Sequence, residues 1–252
     1  MPKFIHPALV TVCSLILFSG KTHSPQKDLP AIFNLMASGN HAPVVKFLQP
    51  LTGQSFEWNT TVPYSVDVSD AEDGESAYAE INEKEVWVRL TFAGSKKSVD
   101  SYRKQKNFAD TSGVYSMVIS NCFNCHAVKT KLAGPSFQDI SLRYAGKPDV
   151  RSAIERHIRE GSTGIWGKEV MPTHPELEQH EIKKMVGWIL QYGKDPGFNI
   201  FVGLKGALPL SRPKGNQRTG YYLVTAFYAD HGSDKTPSMQ KTGAGQILLG
   251  MN

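Results

Sequence analysis

Cysteine is scarce in this chain of 252 residues, and two of the three fall together in NCFNCHAVK, residues 121–129. A Cys-x-x-Cys pair followed directly by histidine limits the local chemistry to a thiol redox pair, part of a metal site, or the covalent anchor of a prosthetic group. The third cysteine, Cys13, lies in the apolar run from Ala8 to Phe18. The segment MPKFIHPALVTVCSLILFSG has one lysine near its start, that run, and the small residues Ser19 and Gly20, which is the layout of a secretory leader over residues 1–20. The run is short for a membrane span, and Phe18 sits where a cleavage site prefers a small residue, so an uncleaved anchor is the alternative. Removal of the leader would leave Cys122 and Cys125 alone, with residues 21–40 as a linker.

Each chemistry asks for different partners. Structural zinc needs four ligands, and this chain has no second cysteine pair to complete a site. A thiol oxidoreductase places its pair at a helix start after a buried strand. Here SGVYSMVISNCFNCHA reads as a helix before the cysteines, with Val114, Met117 and Val118 at helical spacing. Covalent haem needs what is present. On a helical turn Cys122 and Cys125 are three apart and His126 is four from Cys122, so all three project from one face. Two sulfurs can then bond the two porphyrin vinyl groups while the imidazole reaches the iron, and Cys-x-x-Cys-His is the signature of c-type haem attachment. For the second axial ligand, Met171 precedes Pro172, which biases it to extended backbone on a loop. Met117 and Met185 fit core packing better. His174 competes with Met171, with His157 and His180 behind it.

These residues resemble the class I cytochromes c, in particular the small bacterial members, over Phe108 to Gly193. LAGPSFQDISLRYAG is similar to the family's Gly-Pro loop and short helix, and the likeness implies that the Pro135 carbonyl accepts a hydrogen bond from His126 Nδ1. Trp166 in GIWG matches a tryptophan that packs at the haem edge in such proteins, although plain core is the other reading. PDVRSAIERHIREG reads as a helix with Val150, Ile154 and Ile158 on one face, stopped by Gly161. A terminal helix carries Leu177, Ile182, Met185, Val186 and Ile189, with Thr173 and Glu176 as its capping box and Gly193 as its stop. In the family that helix crosses the first one, where Gly113 would allow close approach.

Coordination then suggests function. With His126 and Met171 as axial ligands of one covalently bound haem c, no coordination site is left for substrate, which suits a carrier of single electrons and not an enzyme. The chain shows no nucleophile motif, phosphate loop or dinucleotide fingerprint. Its net charge of +5 is scattered without a basic run, which argues against nucleic acid. Lys129, Lys131 and Lys168 lie near the haem-binding and methionine loops in sequence, as solvated surface charges or as a steering ring for an acidic partner. Asp70, Glu72, Asp73 and Glu75 in SDAEDGES lack the spacing of a known calcium loop and read as a solvated turn.

Strand-like sequence lies on both sides. HAPVVKFLQPLTGQSFEWNTTVPYSVDVSDAEDG reads as two strands, and EKEVWVRLTFAG as a third with Val86, Val88 and Leu90 alternating. FNIFVGLKGALPL, GYYLVTAFYADHG and QILLG follow the cytochrome-like part. Neither group suffices to fold alone. Together they resemble one immunoglobulin-like module of secreted bacterial enzymes. The expected fold class is therefore α+β with two domains, an all-α class I cytochrome c domain (108–194) inserted into a β-sandwich (41–95 and 195–252), with 96–107 as a linker. The whole resembles end portions of exported proteins in which such parts accompany a quinone-dependent sugar dehydrogenase. That implies a periplasmic or otherwise exported monohaem carrier that accepts electrons from such a partner, its β module docking or spacing it. The alternatives are a carbohydrate- or protein-binding module with an accessory haem, with Trp58, Tyr64, Trp87, Tyr222 and Phe227 as a sugar platform, although aromatics at alternating strand positions are more often core, or a haem sensor or peroxidase.

Overall fold

The structure, a computed structural model, describes residues 39–104, 111–213, 218–233 and 239–252. The expected leader, Cys13 and most of the 21–40 linker lie outside the described residues. Five strands precede the helices: β1 Val44–Gln49, β2 Ser55–Phe56, β3 Thr60–Asp70, β4 Gly74–Glu75 and β5 Trp87–Ala93. The helices are α1 Lys96–Lys104, α2 Thr111–Ile119, α3 Phe137–Tyr144, α4 Val150–Glu160 and α5 Gln179–Tyr192. Four strands follow: β6 Phe198–Val202, β7 Lys205–Leu210, β8 Gly220–Ala229 and β9 Thr242–Met251.

The strands form two sheets, and each draws on both ends of the chain. In the first, β3 pairs with β1, β4 and β7; Val62 stands opposite Leu208. The second has the order β2-β9-β8-β5-β6, and Leu90 of β5 stands opposite Val224 of β8. Alternation explains which faces meet. Val62, Tyr64, Val66 and Val68 of β3 are buried towards a core shared with Val88 and Leu90 of β5 and Tyr222, Val224, Ala226 and Tyr228 of β8.

The opposite face of the second sheet is also apolar and also covered. Trp87 (1% exposed) stacks on Phe227 at 5.4 Å, and with Phe198, Ile200 and Ala229 it joins the core formed by Val114, Met117 and Val118 of α2 and Ile182, Met185, Val186, Trp188 and Ile189 of α5. Trp188 reaches the sheet through Phe198, with ring centroids 5.8 Å apart. The helices therefore rest on the sheet. Helix α2 crosses α5 at Gly113, where a Cβ would lie 2.7 Å from the Lys184 carbonyl oxygen. Only glycine permits that approach.

Several expectations change. FNIFVGLKGALPL is two strands on different sheets, because Gly203, at φ 121°, turns the chain between β6 and β7. The stretch from Lys96 to Lys104, expected as linker, is helical; Val99 anchors it against Ala93 and Leu223. Helix α5 starts later than the Thr173–Glu176 box, since the Glu176 carboxylate is taken by His174 Nδ1 at 2.8 Å. Glu178 and Glu181 form the box instead. Of the proposed sugar platform, Tyr64, Trp87, Tyr222 and Phe227 are core residues, and Trp58 packs half-buried beside Phe92. A carbohydrate has no such surface to stack on.

Replacing Trp87 by alanine removes the ring that links sheet and helices, and a loss of about 3–5 kcal/mol is expected. Denaturant unfolding followed by far-ultraviolet dichroism checks this; a loss below about 1 kcal/mol would mean that the two layers are not energetically joined.

Candidate functional site

The site begins where α2 ends. Asn121, at φ 58°, turns the chain into a single 3-10 turn over Cys122–Asn124, and the His126 amide then donates to the Cys122 carbonyl at 2.9 Å. This winding brings the side chains of Cys122, Cys125 and His126 onto one cavity. The two cysteines form no disulfide. Burial pushes the Cys122 thiol up to about 11, the wrong direction for a reactive thiolate.

His126 is held from two sides. Its Nδ1 lies 2.7 Å from the Pro135 carbonyl oxygen, and Phe137 stacks on the ring at 5.3 Å with the planes 21° apart. A carbonyl only accepts, so Nδ1 carries the hydrogen and Nε2 keeps its lone pair for coordination. Burial holds the imidazole below its usual range, opposed by the bond to Pro135, so the neutral ligand form is favoured. Gly134 makes the geometry feasible. A Cβ there would stand 2.4 Å from His126 Cε1.

Met171 comes from the other side of α4. Its amide donates to the Ser162 carbonyl at 2.9 Å, and the Ser162 amide donates back at 3.2 Å. This pairing needs Gly161, whose φ of 76° and ψ of 177° suit glycine alone, and whose Cβ would lie 2.6 Å from the Met171 carbonyl oxygen. The loop thereby brings the thioether to the same cavity, of about 140 Å³, as Cys122, Cys125 and His126. Phe137, Ile140, Ile154, Ile158 and Ile189 supply apolar walls. Trp166 also lines it, half-buried, with the Arg143 guanidinium 4.5 Å over its ring. Met117 and Met185 are core residues, each 1% exposed, that touch the cavity from below.

The competing imidazoles separate. His174 and His157 line the cavity, while exposed His180 does not. Lys131 and Lys168 are exposed, but Lys129 is not a free surface charge: its ammonium donates to the Pro196 carbonyl, and burial lowers its pKa. Sequence reasoning missed Gly134, Phe137 and Arg143 as parts of the site and read Gly161 only as a helix stop. The Gly-Pro step after the cysteine turn was the available signal for Gly134. Two thiols, a neutral imidazole and a thioether around an apolar slot fit a covalently attached haem; so soft a set does not suit a hard cation.

Residues 108–193 match the family model described as Cytochrome c. Cytochrome c-552 of Nitrosomonas europaea is 38% identical over 71 residues, 28% of this chain and 69% of that protein. Cytochrome c-551 of Ectopseudomonas mendocina is 39% identical over 27% of this chain and 83% of its own length. The crystal structure of wild-type Nitrosomonas europaea cytochrome c552 is similar at 36% identity, covering 29% of this chain and 91% of that one with a TM-score of 0.29. The family match begins after β5 and ends before β6, so it leaves the two sheets uncovered. The cavity, its donor set and these relatives together make the chain a member of the cytochrome c family: a monohaem c-type cytochrome that carries electrons on one covalently bound haem c and is not an enzyme.

Proposed function

We propose that the haem is bonded through Cys122 and Cys125, with His126 and Met171 as axial ligands, and that the protein is an exported carrier of single electrons. The observation that carries this reading is the single cavity lined by all four side chains. When bound, the haem supplies a one-electron iron couple. The chain's own residues then set its working conditions. His126, oriented by Pro135 and Phe137, offers one fixed nitrogen, and a hydrogen bond to the far ring nitrogen holds such a ligand in place through repeated oxidation and reduction. Met171, a soft thioether, favours the ferrous state and raises the potential. Trp166 lines the cavity with the Arg143 guanidinium over its ring, and the two would offer an indole and a cation to the acidic groups of a bound haem.

The β region is read as an immunoglobulin-like module split by the cytochrome, with 41–95 and 195–252 as its two parts. Strand pairing between β5 and β8 supports this. So does the Tyr222 hydroxyl, which donates to the Ser211 carbonyl at 2.5 Å near the start of β8, in the manner of the tyrosine corner of such sandwiches. Its role would be to dock or space the haem against a periplasmic redox partner, with a quinone-dependent sugar dehydrogenase as the candidate by resemblance. No helix among the described residues is long and apolar enough to cross a membrane.

A redox titration of the holoprotein, with spectra of both states, tests the ligand set. The ferric protein should show the far-red sulfur-to-iron charge-transfer band, and Met171→Ala should abolish it and lower the potential. Retention of the band in that variant would remove Met171 from the role. Carbon monoxide binding to the reduced wild-type protein, without prior ligand loss, would favour a sensor or peroxidase.

Gly161→Ala should strain the Met171 loop by about 1–3 kcal/mol, seen as a weakened charge-transfer band at temperatures well below global unfolding. An unchanged band up to the unfolding transition would show that the loop tolerates the side chain.

A further inference from the structure

The carboxylates of SDAEDGES form a turn with Glu72 and Glu75 exposed, as expected, but Asp70 is not solvated. Asp70, the last residue of β3, is only 8% exposed. One of its oxygens, Oδ1, caps the turn by accepting from the amides of Glu72 and Asp73, both at 2.9 Å. The other, Oδ2, is buried with no hydrogen-bond partner. Asn40, 5% exposed, presents a second orphan. Its Nδ2 donates to Asp230 Oδ2 at 2.9 Å and to the Met239 carbonyl at 2.7 Å, which fixes the amide orientation, and its Oδ1 is buried without a partner. Asp230 is 0% exposed, with Oδ1 accepting from the amides of Gly232 and Lys241.

These three side chains are neighbours. Asn40 touches Asp230, and the charges of Asp73 and Asp230 add to burial in holding the Asp70 carboxyl above its ordinary range. The surrounding basic side chains are engaged elsewhere. His41 pairs with Glu72 at 2.7 Å, His231 with Asp73 at 3.0 Å and Glu85 at 3.2 Å, and the Lys241 ammonium donates to the Asn40 carbonyl. What is left, among the described residues, is two buried oxygen acceptors without a donor in the neighbourhood of the Asp230 carboxylate. An unpaired buried acceptor is costly, and more so when charged, so two in one neighbourhood call for an occupant.

We propose that Asp70 Oδ2 and Asn40 Oδ1, with Asp230 beside them, bind a hard divalent cation of the calcium class. An oxygen-only set of carboxylate and amide, completed by backbone carbonyls and water, is calcium chemistry. Among the described residues no three His, Cys, Asp or Glu side chains group as a metal centre, so the site rests on two acidic side chains and one amide and leaves most of the coordination to backbone carbonyls and water. The site has a structural consequence. Asn40 and Asp230 are 190 positions apart and flank the entire helical region, while Asp70 belongs to the strand that pairs with β1 and β7. A cation here staples the two parts of the β region at one end, independently of the haem ligands.

The test uses the haem-loaded protein, first stripped with a chelator and then titrated with calcium chloride by calorimetry and by thermal melting. One calcium per chain is expected, with Kd about 10⁻⁴–10⁻³ M, the range of extracellular modules with few ligand charges. The melting midpoint should rise with calcium. Asp70→Asn should weaken binding at least tenfold and lose the calcium-dependent shift, yet melt no lower than wild type in chelator, because it removes a repelled charge. Asn40→Ala should also weaken binding while the haem spectrum stays unchanged, and serves if the first variant fails to fold. Equal midpoints in chelator and calcium with no uptake would overturn the proposal and leave the corner to buried water. Equal affinity in wild type and a folded variant would overturn it too.

Discussion

Strand β8 is buried on both faces, and the rest of the molecule is arranged around that fact. Tyr222, Val224, Ala226 and Tyr228 enter the core between the sheets, while Phe227 and Ala229 enter the core shared with the helices. A strand with one wet face would leave Trp87 and Phe227 in water. Each large apolar side chain buried in such a position contributes about 1.5–3 kcal/mol, so the sheet is stable as built only with the helices in place. The helices depend on the sheet in turn. Trp188 of α5 packs on Phe198 of β6 and also on Phe137, which lines the cavity.

The cavity obeys a second constraint, close approach of backbone to side chain. Gly134 lets a loop press against the His126 ring, and Gly161 lets the Met171 strand bridge to Ser162. Both donors therefore sit on segments fixed by main-chain bonds and by steric contact. That is the physical requirement of an electron carrier, which gains from ligands that need not move between oxidation states. A mobile loop would offer the same atoms without the same orientation.

Much of the site was legible in the sequence because covalent chemistry and turn geometry are local. Cys122, Cys125 and His126 need only one helical turn to converge, and the proline after Met171 marks its loop. The helices over 111–119, 150–160 and 179–192 followed from apolar spacing. Long-range facts were harder to read. GYYLVTAFYA is apolar without alternation, which is the pattern of a strand covered on both sides, but nothing local says what covers it. Val86 and Val88 face the core between the sheets, so Trp87 points to the other face, and nothing local says that helices cover it. The burial of Asp70 was illegible for the same reason: Asp230, whose charge it feels, lies 160 positions away in the sequence.

The continuity of the helical core gives the β region a physical route to the haem cavity. Met117, Met185 and Ile189 line the cavity and belong to the same buried cluster as Trp87, Phe198 and Phe227. Close-packed cores transmit displacement, since a void under one residue is felt by its neighbours. The five-stranded sheet is therefore the floor on which α2 and α5 hold the cavity's lower wall. Any partner that pressed on the sheet's outer strands would act on a layer in contact with that wall. The two cores share β5 and β8, so haem environment and sheet packing answer to the same side chains.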